Sequence, residues 1–116
     1  MFGKCNQNGY ICLRIMRIIK RRTLLNFADK HASARQPLLS WYDEVRQVVW
    51  NKPNDVRAMY GSADIINQKR VVFNIKGNHY RLVADVEYAI GLVFIVRVMT
   101  HADYDKVNVE NISYEG

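Results

Sequence analysis

The feature that most constrains this chain is a pair of alternating segments, Arg70–Lys76 and His79–Val86, separated only by Gly77-Asn78. A Gly-Asn connection between two such runs is a hairpin signal, and a two-residue loop sets the register. Lys76 then faces His79, Ile75 faces Tyr80, Asn74 faces Arg81 and Phe73 faces Leu82. Further out, Val72 faces Val83, Val71 faces Ala84 and Arg70 faces Asp85. Strand alternation sends Val71, Phe73, Ile75, Tyr80, Leu82 and Ala84 to one side, a coherent core surface. Arg70, Asn74, Lys76, His79, Arg81 and Asp85 go to the other. Four potential cations around an amide suit a phosphate backbone, since Arg offers a planar fork and Lys a point charge. The same pattern also describes a solvated face with an Arg70–Asp85 pair.

A third strand follows at Leu92–Thr100, after the short connection Glu87–Gly91. Its first half is apolar on both faces, as a central strand covered on both sides requires. Upstream, Arg17-Ile18-Ile19 reads as a short strand. Thr23 is placed to cap a helix running to about His31. Pro37 opens a second helix whose apolar face takes Leu38, Trp41, Tyr42, Val45, Val48 and Val49. Val56, Met59 and Tyr60 make a helical turn closed by Gly61. The order β-α-α-(α)-β-β-β predicts an α+β fold, an antiparallel sheet with N-terminal helices packed on it. Trp41 and Trp50 are read as core residues.

The chain has 116 residues and a net charge of +6. That is enough for one domain and too little for two. Residues 1–22 hold six basic residues and no acid, so the excess equals that of the first 22 residues. Residues 1–15 also hold both cysteines, Cys5 and Cys12, and a polar Asn6-Gln7-Asn8 run. The cysteines lack CxxC spacing and a nearby His, so no metal site is indicated. Periodic hydrophobicity begins at Met16. The expected organisation is therefore an N-terminal extension at 1–15, either a start-site extension or a peripheral arm, and one domain at 16–116. Deleting 1–15 is expected to leave folding and activity intact. From Met16 onward, without Lys4 and Arg14, the charge is +4. No apolar run approaches the ~18 residues of a membrane span, and no secretory signal pattern is present. The expected compartment is the cytoplasm.

Past the third strand the chain reads Thr100-His101-Ala102-Asp103-Tyr104-Asp105-Lys106. Arg97, Met99 and His101 share a parity. Here His101 and Tyr104 either line a cleft at the sheet edge or serve as a turn residue and a packed ring, with Thr100 or Asp103 as cap. HExxH, P-loop, GxGxxG and GxSxG patterns are absent, and Asp103 and Asp105 lack the wider carboxylate set of a two-metal nuclease. His31 reads as a surface residue.

The run Arg70–Leu82 together with Thr100–Lys106 resembles the HigB toxin family of the RelE/ParE superfamily of bacterial toxin–antitoxin systems. The similarity takes in Met16–Ile19, the Trp41-Tyr42 helix and Pro53–Asp64, and covers 16–110. The resemblance implies a RelE-like sheet with helices and an mRNA interferase, an endoribonuclease cutting mRNA, typically in the ribosomal A site. It implies no cofactor and no metal: the adjacent 2′-hydroxyl attacks through a phosphorane-like transition state. That chemistry needs a base, an acid and cations. Arg81 corresponds to the arginine of the family's Tyr-Arg-Leu run and is assigned phosphate clamping, with Lys76 adding charge. His101 and Tyr104 match the terminal motif and are the acid–base candidates. Arg70, Asn74, Asn78, His79, Arg97 and Lys106 are expected to contact RNA, while Asp103 and Asp105 tune the charge. The implied partners are a helix-turn-helix, HigA-like antitoxin, mRNA and the ribosome, with DNA reached only through the antitoxin and no membrane. Two other readings share the basic face: a ParE-like, non-catalytic toxin acting on DNA gyrase, and a non-toxic nucleic-acid-binding module.

Overall fold

Alternating runs bury one face only when something packs against it, and in this chain both faces of the sheet are covered. The computed structural model describes residues 16–112; the expected 1–15 extension, with both cysteines, lies outside the described residues. The elements are β1 (Arg17–Ile19), α1 (Arg21–Lys30), a 3-10 turn (Ala32–Ala34), α2 (Arg35–Val45) and α3 (Pro53–Met59). Then come β2 (Asp64–Ile65), β3 (Arg70–Ile75), β4 (Tyr80–Glu87), β5 (Leu92–Thr100) and a one-turn α4 (His101–Tyr104). The strands form one sheet ordered β1-β5-β4-β3-β2. This is the α+β class expected. The sheet is mixed rather than purely antiparallel, because β1 pairs with β5 in parallel, Ile18 opposite Val93. Helices between those two strands supply the crossover that a parallel pair needs.

The hairpin register is the predicted one over all six pairs, from Arg70 opposite Asp85 to Ile75 opposite Tyr80. Only the tip differs. The ladder stops at Ile75–Tyr80, Lys76 and Gly77 both take positive φ (53° and 63°), and the His79 N–H closes on the Lys76 carbonyl at 3.2 Å. Gly77 accepts that φ without strain, whereas Lys76 does not.

On one face, α1 and α2 cover Val71, Phe73, Ile75, Leu82, Ala84, Val93 and Ile95. Phe73 is the hub: Trp41 meets it edge-on at 5.2 Å and Trp50 stacks on it at 5.9 Å. Each such large apolar side chain contributes about 1.5–3 kcal/mol by burial. Both tryptophans are core residues, as expected. α2 stops at Val45 instead of running on to Val49. The chain leaves the helix because Val48 is claimed elsewhere: its carbonyl accepts the Met16 N–H at 3.1 Å, and Val49 ends up exposed. α1 likewise starts at Arg21, so Thr23 is a buried helix residue, not the cap. Its N–H bonds to the carbonyl of Lys20, which takes a left-handed φ of 75° at the turn from β1.

The opposite face of the hairpin was expected to be polar, either binding phosphate or solvated. It instead holds a second apolar cluster of Val72, Val83, Val96 and Met99, covered by Ile66, Tyr104, Val107, Val109 and Ile112. A register shift in β5 opposite Val83/Ala84 contributes to this, since Val83 faces Arg97 and Ala84 faces Ile95, leaving Val96 as the extra residue. That bulge keeps Arg97 and Met99 on the same face as Val83 and Arg81. The segment 101–112 is thus a strap laid across the second face.

Candidate functional site

The strap begins where β5 ends, and that junction brings the chemistry together. Thr100 caps α4 through its side-chain oxygen, which accepts the Asp103 N–H at 3.1 Å. The His101 N–H bonds to the His79 carbonyl at 3.0 Å, tying α4 to the hairpin tip. Arg81 lies on β4 with Asn74 beside it on β3 and Met99 beside it on β5. Its Nη2 donates to His101 Nδ1 at 3.0 Å. Its Cζ lies 5.5 Å from the Tyr104 ring centroid, within cation–π range. Two long contacts, 3.3 Å to the Asn78 carbonyl and 3.4 Å to the Tyr80 carbonyl, steady Nη1.

This geometry fixes a tautomer. A guanidinium only donates, so His101 Nδ1 must present its lone pair and the proton sits on Nε2. Nε2 lies 3.4 Å from Asp105 Oδ2, one helical turn on. The imidazole is therefore held between a permanent cation and a carboxylate. Tyr104 has its hydroxyl pushed above the usual phenol range, first by burial, then by the negative charges of Asp64 and Asp105, against a lowering by Arg81. It therefore keeps its proton at neutral pH.

Arg81, His101 and Tyr104 form one group, with Asn78 and His79 beside it. His79 and Asn78 are exposed at the tip, and His79 Nδ1 lies 2.9 Å from the Lys76 carbonyl. Lys76 is exposed at the tip, and Lys106 is exposed just beyond α4. Asn74 shares the face but donates to the Ser62 carbonyl at 3.1 Å. Arg97 is half-buried on the same face, opposite Val83.

Arg70 does not join the group. It is 8 % exposed and forms a bidentate pair with Asp85 at 2.7 and 2.8 Å. Its Nη1 reaches the Val109, Glu110 and Ile112 carbonyls at 3.0, 3.4 and 2.7 Å. A guanidinium paired with a carboxylate and turned on three strap carbonyls is not presented to a phosphate. This corrects its expected place among the RNA contacts.

Asp64 acts on Tyr104 although sequence reasoning passed it over; the two-residue strand β2 that positions it leaves no periodic trace. His31, read as a surface residue, stacks on Phe27 at 4.3 Å and lies 5.9 Å from Tyr80. Among the described residues no group of three or more His, Cys, Asp or Glu is arranged to hold a metal ion. No helix among them is long and apolar enough to cross a membrane.

Known proteins match this chain over the stretch that holds the site. The HigB toxin family, described as the RelE-like toxic component of a toxin-antitoxin system, matches residues 34–107. The mRNA interferase toxin HigB of Escherichia coli K12 is 30% identical over 92 residues, covering 78% of this chain and 88% of that protein. The mRNA interferase HigB of Shigella flexneri gives the same figures. That of Escherichia coli O6:H1 is 24% identical over 94 residues, or 79% and 91%.

Proposed function

This chain belongs to the HigB toxin family, the RelE-like toxic components of toxin-antitoxin systems, and on that premise we propose how its residues carry out RNA cleavage. It is an endoribonuclease of the mRNA interferase type, and its system includes an antitoxin. The observation that carries the mechanism is the 3.0 Å contact between Arg81 Nη2 and His101 Nδ1, with Tyr104 against the same guanidinium.

The scissile phosphate takes the place of His101 on Arg81, whose fork matches two phosphate oxygens. This frees the Nδ1 lone pair beside the bound phosphate. Nδ1 then removes the proton of the adjacent 2′-hydroxyl, while Asp105 holds Nε2–H and steadies the imidazolium that forms. The 2′-oxygen attacks phosphorus, and Arg81 with Lys76 offsets the extra negative charge of the phosphorane-like state. Tyr104, kept protonated by its surroundings, gives its proton to the departing 5′-oxygen. The products are a 2′,3′-cyclic phosphate and a 5′-hydroxyl, so the atoms balance with no other reactant. Asn78, His79, Arg97 and Lys106 flank this centre as RNA contacts, and Asn74 adds one if its amide turns from Ser62. The ribosome is the setting in which mRNA is met, and a helix-turn-helix, HigA-like protein is the antitoxin.

Induced expression followed by primer extension on mRNA, with and without ribosomes, tests this. Cleavage with shortened transcripts is expected. Arg81→Ala and His101→Gln are expected to abolish it while leaving a folded protein that still binds antitoxin. Intact mRNA accompanied by DNA damage would instead indicate a gyrase poison.

A further inference from the structure

The Arg70–Asp85 pair is remote from the chemistry, yet its contacts lead back to it. Arg70 is fixed by Asp85 from the next strand, and its remaining Nη1 reaches three carbonyls of the strap. The strap runs 101–112 as one short stretch. It starts at His101 and Tyr104 against Arg81 and ends under Arg70. Between these ends Val107 and Val109 rest on the Val72–Met99 cluster. α4 is a single turn and frays without anchorage beyond it. Tyr104 is thus located by its own contacts with Arg81 and the Val72–Met99 cluster, by the Thr100 cap and the His101–His79 bond at the start of α4, and by the Arg70 grip after it.

We infer that Arg70, locked by Asp85, is a positioning residue for RNA cleavage: it clamps the far end of the strap and thereby sets Tyr104 against Arg81. It touches no substrate. The inference rests on the cleavage mechanism above for its kinetic consequence, but the placement of the strap is readable without any activity.

Two variants separate the possibilities. Arg70→Lys keeps a buried cation beside Asp85 but lacks the planar fork that spans carboxylate and carbonyls. The pair Arg70→Met with Asp85→Leu removes both charges together, which buried pairs often tolerate. In the full-length protein, amide hydrogen exchange across 104–112 is expected to accelerate at least tenfold in both, with the β3–β4 ladder unchanged. On a single-stranded RNA probe, kcat is expected to fall at least tenfold, with KM and the dissociation constant of a 2′-deoxy analogue within twofold of wild type. A strap-loosening change, Val109→Asp, is expected to give the same fall and no further loss when combined with Arg70→Lys. Unchanged exchange in a folded variant would overturn the inference. So would full kcat with a loosened strap, a parallel rise in the analogue's dissociation constant, or additive losses. If the wild type cleaves no RNA while the strap still loosens, the cleavage reading fails and the clamp stands.

Discussion

Arg70 and Arg81 occupy the same face of the same hairpin and are equally buried, at 8 % and 9 % exposed, but they differ in what they meet. Arg70 meets a carboxylate in its cross-strand partner, Asp85, and turns its remaining donors on the strap. Arg81 faces Asn74 across the ladder and a neutral imidazole nitrogen at 3.0 Å, and among the described residues it makes no ion pair with a carboxylate. A buried charge neutralised by its neighbour holds a fold together. One left opposite neutral acceptors keeps its field for an anion that arrives later. In the proposed mechanism, the partner across the strand separates the arginine that grips the strap from the one that clamps phosphate.

The sharpest way to break this contrast is to truncate each arginine and measure both stability and cleavage. Arg81→Ala is expected to cost cleavage a factor of about 10² to 10³, with about 1 kcal/mol lost from folding, because its contacts are long or to neutral groups. Arg70→Ala is expected to cost about 3–5 kcal/mol in denaturant unfolding, since it strands Asp85 in a site where that residue is 2 % exposed. If Arg70→Ala folded as well as Arg81→Ala, the distinction would collapse.

Salt dependence gives a second, smaller separation. An arginine on a phosphate releases a counterion, so Arg81→Ala is expected to reduce the slope of log K against log salt for single-stranded RNA by about 0.7. Arg70→Lys is expected to leave that slope alone. A reduced slope in Arg70→Lys, measured by titrating one oligonucleotide at several salt concentrations, would return Arg70 to the RNA interface.

The contrast also marks what the sequence could disclose. The register that sets Arg70 opposite Asp85 and Arg81 opposite Asn74 follows from a two-residue connection and strict alternation, both local properties. Thr100 and His101 sit where strand periodicity ends, and their junction was legible for the same reason. The strap was not. Val107, Val109 and Ile112 are spaced as neither helix nor strand, so nothing local said that they would roof Val72, Val83 and Met99. Without that roof, Arg70 is told from Arg81 by the Asp85 opposite it alone, and both stand on an open face. α2 illustrates the same limit: Val48 fits the helix face by spacing, but a long-range bond to Met16 takes its carbonyl.

A pH measurement tests the site end alone. Tyr104 has its hydroxyl raised above the ordinary 10.0 in the folded chain, by burial first and then by Asp64 and Asp105. The folded state therefore holds this proton more tightly than the unfolded one. The contribution is fully present below pH 10.0 and is lost as pH climbs from there through the raised value. The difference in stability between wild type and Tyr104→Phe is expected to be flat through neutral pH and to shrink or reverse above 10. Tyr88, pushed up to about 12, adds a fall of the same sign to both proteins and cancels in the difference. A difference that stayed constant to pH 11 would mean that Tyr104 titrates as it does in the unfolded chain.

The smallest effect concerns how the site end is held. Arg70 secures its end of the strap with a buried, charge-assisted cluster, whereas His101 and Tyr104 ride on a turn whose start is fixed by the His101 N–H on the His79 carbonyl at 3.0 Å and by one hydroxyl, Thr100 to the Asp103 N–H at 3.1 Å. Thr100→Ala removes that bond and is expected to cost about 0.5–1 kcal/mol in unfolding, the low end for a cap because this one is exposed. Thr100→Ser restores the acceptor and is expected to recover most of the loss. The effect on cleavage is expected to exceed the effect on stability, because loosening α4 moves Tyr104 and His101 together while the core beneath is untouched. A cap variant that lost stability and kept full kcat would show that Arg81 and the strap locate the two side chains without it. The two ends of the strap would then differ in kind, one clamped and the other steered by the guanidinium that it serves.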